Sequence, residues 1–239
     1  MTRKSRRPPS TTLPPEAPAE GLGCVLVFEP DVEGRVAIGH QISRYRRVRF
    51  AETGKGARET LAAHEDWCGF VLDASIAHDG TTSGLDLLAT VRERWPETPS
   101  LVTSDKLDRE LVNRVASLGA VVVGKPFGEA ELGPFLRRVV AFELGFNDAF
   151  GERLNLATRT WKLSLREHEI LAWHLAGGSR DEYLSACGLS EGTFKTYVKR
   201  MLRKIGGQNL GDATQIAFRR VLGTPSPFLA PKPPPRDPD

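Results

Sequence analysis

The chain has 239 residues, 40% of them hydrophobic and 26% charged, the make-up of a globular protein with room for one large domain or two small ones. No apolar run approaches the ~20 residues of a membrane span, the basic N-terminus lacks the apolar stretch of a secretory signal, and the separated Cys24, Cys68 and Cys187 suit neither a disulfide framework nor a cysteine zinc site. A cytoplasmic chain with no membrane contact is expected, and its net charge of +3 is too small to argue for nucleic acid until the placement of the charges is known.

Residues 1–22 and 224–239 are predicted to be disordered tails, the first basic and proline-containing, the second proline-rich. Neither carries enough apolar surface to offset the entropy of ordering. The cluster Arg3, Lys4, Arg6, Arg7 reads better as a solvated tail than as a DNA contact.

Residues 23–146 alternate short apolar runs with amphipathic stretches. The runs are Cys24–Phe28, Val48–Ala51, Phe70–Leu72, Leu101–Thr103 and Val121–Val123, with helices predicted near 32–43, 55–64, 84–94, 106–118 and 128–144. Short apolar runs between turn residues suit buried parallel strands, and the helices supply the crossovers. The expected domain is a doubly wound α/β fold with a five-stranded parallel sheet and a functional crevice at the carboxyl ends of its strands. Residues 147–160 carry weak periodicity and read as a linker or a frayed helix end. Over 161–223 only helical segments remain, and a small all-α domain of about four helices is predicted.

In the larger domain Asp73 follows Phe70-Val71-Leu72 at the end of the third strand. Glu29, Pro30 and Asp31 follow the first strand, Ser104 ends the fourth, and Gly124-Lys125-Pro126-Phe127 follows the fifth. Carboxylates, a hydroxyl and a lysine on separate strands suit phosphoryl transfer to a carboxylate. Asp73 is the candidate phosphoacceptor. Glu29 and Asp73 are the candidate ligands of a Mg²⁺ ion, with Asp31 near them. Lys125 and the Ser104 hydroxyl would meet the phosphoryl oxygens.

Phe70–Asp73, Gly84-Leu85, Ser104, Gly119-Ala120 and Gly124-Lys125-Pro126-Phe127 resemble the receiver domain of bacterial response regulators, over roughly residues 23–145. The resemblance implies phosphorylation of Asp73 by a partner histidine kinase and a cis peptide bond before Pro126. Receivers carry two adjacent acidic residues after the first strand; here the simplest register gives Glu29-Pro30, and a slip of one residue gives Phe28-Glu29. The aromatic residue usual three positions before the lysine is Val122, and the loop from Asp73 to Leu85 is long. Two readings stay open: Mg²⁺-dependent phosphorylation, or a degenerate receiver in which Asp73 caps a turn and Lys125 is its structural ion partner. No general base accompanies Asp73, so a stand-alone enzyme is not expected.

The helical region carries a sharper pattern. Ser164-Leu165-Arg166-Glu167 and Ser179-Arg180-Asp181-Glu182 have capping-box spacing. Gly188-Leu189-Ser190 reads as a tight turn, with Ser190 capping the next helix and Leu189 and Phe194 placed as a hydrophobic staple. In the helix that follows, about 191–205, Phe194, Val198, Met201, Leu202 and Ile205 form an apolar stripe. Lys195, Lys199 and Arg203 recur on another face beside Thr196, flanked by Arg200 and Lys204. A capped helix, a glycine turn and a basic helix together suit the major groove of double-stranded DNA.

Leu163–Ile205 resembles the LuxR/NarL-type helix-turn-helix domain, most closely over Leu189–Val198 and Leu163–Leu171. By that resemblance Lys195, Thr196 and Lys199 meet base edges, and Arg200, Arg203 and Lys204 meet phosphates. Tyr183-Leu184 stands in place of a usual Ile-Ala pair, Asp181 replaces a residue that is often basic, and Leu210 replaces an arginine or lysine. The helix over about 211–222 resembles the one that often dimerises this family, and Ile216, Ala217, Phe218 and Val221 are core or dimer surface. A homodimer on paired half-sites is the expected geometry. The expected function is a DNA-binding transcriptional regulator of a two-component system. The rival is a phosphorylation-independent interaction module with weakened DNA contact. Gly54-Lys55-Gly56 lacks P-loop spacing, His168-Glu169 and His174 do not match a zinc-protease motif, and His40, His64 and His78 are isolated.

Overall fold

The computed structural model describes residues 22–75, 80 and 82–223, so the tails other than Leu22, as well as His78, lie outside the described residues. Five parallel strands form one sheet: β1 (Cys24–Phe28), β2 (Arg47–Ala51), β3 (Trp67–Asp73), β4 (Ser100–Ser104) and β5 (Val121–Gly124), in the order β2-β1-β3-β4-β5. The helices that follow them in turn are α1 (Val32–Ile42), α2 (Gly54–Ala63), α3 (Gly84–Arg94), α4 (Arg109–Ser117) and α5 (Glu129–Glu143). The third strand starts at Trp67 rather than at Phe70.

Strand periodicity sends alternate side chains to opposite layers. Leu26, Phe28, Phe70 and Leu72 pack on Ala57, Leu61, Leu87, Leu88 and Val115, from α2, α3 and α4. Val25, Val27 and Val71 pack on Ile38, Ile42, Leu132, Phe135 and Val139, from α1 and α5. Strands covered on both faces read as unbroken apolar runs, which is why β1 and β3 stand out in the sequence. The chain reverses its winding between β1 and β3, so the crevice opens at their carboxyl ends. Gly84 begins α3 so close to the carbonyl of Asp73 that any Cβ there would collide with it.

The second half holds α6 (Asp148–Thr160), α7 (Leu165–Leu175), α8 (Arg180–Cys187), α9 (Glu191–Ile205) and α10 (Leu210–Leu222). The stretch expected as a linker is α6. Asn147 caps it by accepting from Phe150 N at 2.9 Å, and Gly151, Leu154, Ala157 and Thr158 are buried. Its packing positions are small because its neighbours come close: a Cβ on Gly151 would lie 3.1 Å from Ala141 Cβ. Small residues leave little hydrophobic periodicity to read. Leu22, assigned from sequence to the tail, is also buried.

The two halves exchange core residues. Leu165 of α7 sits in the sheet-side core with Ile38, Ile42 and Phe135. Val140 of α5 and Leu22 sit in the helical core with Ile170, Leu171, Tyr183 and Met201.

A buried ion network crosses the same seam. Arg46, 3% exposed, donates from Nε to Glu143 and from Nη1 to Glu169, both at 2.5 Å. Arg166 Nη1 meets the other oxygen of Glu169 at 2.5 Å, and its Nη2 donates to the Arg44 carbonyl. The Arg166 guanidinium lies 4.8 Å over the Tyr45 ring. Tyr183 donates to Glu169 at 3.1 Å, and Gly23 N donates to Glu143 at 2.8 Å. Burial alone would push Glu169 up, but Arg46 and Arg166 hold it below the ordinary carboxylate range. Burial opposes the charge on Arg46 as well, and Glu169 and Glu143 restore it. Because removing one partner strands the others, Arg46→Ala is expected to cost roughly 3–5 kcal/mol in denaturant unfolding.

His168 on α7 is fully buried, with Nδ1 3.1 Å from Thr158 Oγ1 of α6. Burial, then the charge on Arg137, pushes it from the ordinary 6.5 down to about 3. The folded histidine stays neutral while the unfolded chain takes a proton below about 6.5. Its contribution is therefore complete above that pH and is lost as pH falls toward 3. Denaturant midpoints should drop between pH 7 and pH 5, and His168→Gln should flatten that drop.

Candidate functional site

Two sites were expected, one at the crevice of the sheet and one on the helix-turn-helix. At the crevice, Lys125 follows β5 before a cis Lys125–Pro126 bond. Its ammonium lies 2.6 Å from Glu29 Oε2 and pairs with Asp73 Oδ2. Glu29 and Asp73 are each 1% exposed. Burial raises Glu29 above the ordinary carboxylate range, while the hydrogen bond from Lys125 pulls the other way. Burial opposes the charge on Lys125, but its bonds to Asp73 and Glu29 raise it overall.

The remaining expected crevice residues are engaged elsewhere. Asp31 caps α1 by accepting from Gly34 N at 2.7 Å. The Ser104 hydroxyl donates to the Lys106 carbonyl at 2.8 Å and accepts from Lys106 N at 3.2 Å. Parallel register sets Thr103, not Ser104, beside Asp73, and its hydroxyl lies 3.4 Å from Asp73 Oδ2. Asp73 Oδ1 accepts from Ser75 N at 2.7 Å and from the Ser75 hydroxyl. Thr103 and Ser75 were not singled out from sequence. An aspartate with serine two residues on is the signature of an Asx turn, and that signal was available.

Mg²⁺ asks for a near-octahedral set of oxygens. Pro30 offers no side-chain oxygen, Asp31 is committed to its helix, and no group of three metal-binding side chains gathers among the described residues. The Lys125 ammonium already bridges the two carboxylates. A Mg²⁺ ion at Glu29 and Asp73 would have to displace that ammonium. Incubation with a small phosphodonor and Mg²⁺ should leave Asp73 unmodified by mass spectrometry, and a phosphoryl mass gain at Asp73 would refute this account of the crevice.

The helix-turn-helix is α8, a turn at Gly188 and α9. Gly188 takes φ +60°, a left-handed conformation that glycine accepts without strain, and Ser190 accepts from Thr193 N at 3.2 Å to start α9. Phe194, Met201 and Ile205 are buried; Val198 and Leu202 are half-buried at the edge of the stripe. Tyr183, one of the departures noted above, is fully buried against Phe194 and Trp173, with its hydroxyl on Glu169.

On the opposite side of α9, Lys195, Thr196, Lys199, Arg200 and Arg203 are exposed. Lys195 makes an exposed pair with Glu191 at 2.8 Å, which Arg180 of α8 shares. Such pairs are weak in water and yield to a stronger anion. Lys199, Arg200 and Arg203 make no ion pair among the described residues. Lys204 differs from its basic neighbours. Its ammonium lies 2.5 Å from Glu167, 2% exposed, and donates to the Lys162 carbonyl at 3.0 Å. It ties α9 to the start of α7, and a phosphate would have to compete with Glu167 for it.

No helix among the described residues is long and apolar enough to cross a membrane. Residues 161–217 match the family described as bacterial regulatory proteins, luxR family. Over 138 residues the chain is 27% identical to the transcriptional regulatory protein TdiR of Thauera aromatica, covering 57% of this chain and 61% of that protein. The chain thus spans about three-fifths of the length of this curated relative. Among solved structures, full-length FixJ from B. japonicum is similar with a TM-score of 0.43 and 20% identity, over 84% of this chain and 98% of that one. A response regulator receiver protein from Pseudomonas putida is similar with a TM-score of 0.45 and 24% identity, over 49% and 98%. Residues 161–217 are thus similar to the luxR family of bacterial regulatory proteins, and they stand behind a doubly wound α/β domain.

Proposed function

We propose that this chain is a transcriptional regulator that binds double-stranded DNA through α9, under the control of its receiver-like domain. One observation carries the reading: the cationic face of α9 points away from its buried stripe, and the larger domain does not cover it. Lys195, Thr196 and Lys199 would face base edges, and Arg200 and Arg203 the phosphate rows on either side. The chain acts by binding rather than by catalysis, and the reading carries a cytoplasmic location with it.

The signal would reach the crevice as contact with a partner, a histidine kinase or another signalling protein. Transfer of a phosphoryl group to Asp73 has less support, since Lys125 already bridges the pair of carboxylates there. That closed crevice is also the observation that favours the second reading, an interaction module with little DNA binding. A homodimer on paired half-sites is supported by apolar side chains left exposed on α6 and α10: Leu156 at 67%, Phe218 at 49% and Leu222 at 50%.

A titration with duplex DNA at several salt concentrations separates the readings. DNA binding predicts a steep loss of affinity with salt. Lys199→Ala should weaken binding and reduce the salt slope by about one, whereas Lys204→Ala, at a residue held by Glu167, should leave the slope near the wild-type value. Affinity that stays at a weak background across sequences would favour the interaction module.

A further inference from the structure

Helical glycines in this protein mostly have a packing reason. A Cβ on Gly34, Gly39, Gly54 or Gly84 would collide with Glu29, Phe50, Thr82 or Asp73. Two helical glycines among the described residues have open space where a Cβ would stand, Gly133 and Gly192. Gly133 precedes Pro134 inside α5. There the missing Cβ removes the clash that a proline ring makes with the residue before it. Gly192, in the first turn of α9, has no such neighbour, is exposed, and needs no left-handed backbone. Glycine weakens a helix relative to alanine, so the fold alone gives no reason for it.

Its position supplies one. Gly192, Lys195, Thr196, Lys199 and Arg203 stand at i, i+3, i+4, i+7 and i+11 and so share one face, opposite Phe194, Met201 and Ile205. Gly192 is the first residue of the basic stripe, at the end of the helix that enters deepest when such a helix docks in the major groove. The Thr196 hydroxyl donates back to the Gly192 carbonyl at 2.9 Å, which folds that side chain onto the helix. The stripe therefore begins as bare backbone with Lys195 beside it.

We infer that Gly192 is a clearance position, whose missing side chain lets the first turn of α9 approach the base edges on the groove floor closely enough for Lys195, Thr196 and Lys199 to reach them. This rests on the DNA-binding reading and adds to it a residue that sets docking depth through absent volume rather than through charge.

The experiment uses the full chain and a short duplex selected by the wild-type protein from a random-sequence pool. Gly192→Ala should fold with an unchanged or raised melting temperature, because alanine favours the helix. It should bind the duplex about tenfold more weakly, the scale of one lost base contact. Gly192→Leu should bind more weakly still. The salt slope should stay at the wild-type value in both, since no charge is lost, in contrast to Lys199→Ala. Folded variants that bind within about twofold of wild type would overturn the clearance role and leave the DNA-binding reading standing. A wild-type protein that selects no duplex would overturn both.

Discussion

The contact between Arg46 and Glu169 fixes the relation between the two halves of this protein. Two charges taken out of water are tolerable only when every oxygen and nitrogen finds a partner. Glu143, Arg166, Tyr183, the Gly23 amide and the Arg44 carbonyl supply those partners. They come from the residue before β1, from the loop before β2, from the end of α5, and from α7 and α8. Such a network admits few alternative geometries, because a small shift leaves a buried charge without its mate. The helix-turn-helix is therefore set against the sheet at one angle, with its basic face turned outward.

The crevice and the network are connected through α5. Lys125 and Pro126 lead into its first turn, and Glu143 ends it. A helix of 15 residues spans roughly 22 Å. A change in how Lys125 holds Glu29 and Asp73 thus bears on the same helix whose far end holds Arg46. The crevice has kept the lysine and the strand-end aspartate, but with Pro30 beside Glu29 it closes with an internal cation. On the function proposed above, its inputs would be those that alter an ion pair: a docked partner, or a competing charge.

Much of this was legible in the residues. The central strands and the helices between them are plain because those strands are covered on both faces and each of those helices starts at a recognisable cap. The α8–α9 pair is equally plain, since two capping residues and a left-handed glycine punctuate it. Three things were obscured. Helix α6 packs through Gly151 and Ala157, which carry little hydrophobic signal, and so it passed for a linker. Lys204 looks like its basic neighbours on α9, and only the fold brings Glu167 beneath it. The partners of Asp73 depend on strand register, which sets Thr103 rather than Ser104 alongside and cannot be counted from spacing. The Arg46 network was invisible for the same reason. Its members lie as far apart in sequence as position 46 and position 169, and nothing local marks them as partners.

The exchange of Leu165 and Val140 between the two cores bears on how such a protein can be taken apart or recombined. A cut between α6 and α7 would leave a socket lined by Ile38, Ile42 and Phe135 on one fragment and a bare leucine plug on the other. The helix-turn-helix half could not be grafted onto an unrelated domain as a free cassette. It would have to bring α5 and α6 with it, together with a receiving surface shaped like the α1–α5 face of this sheet.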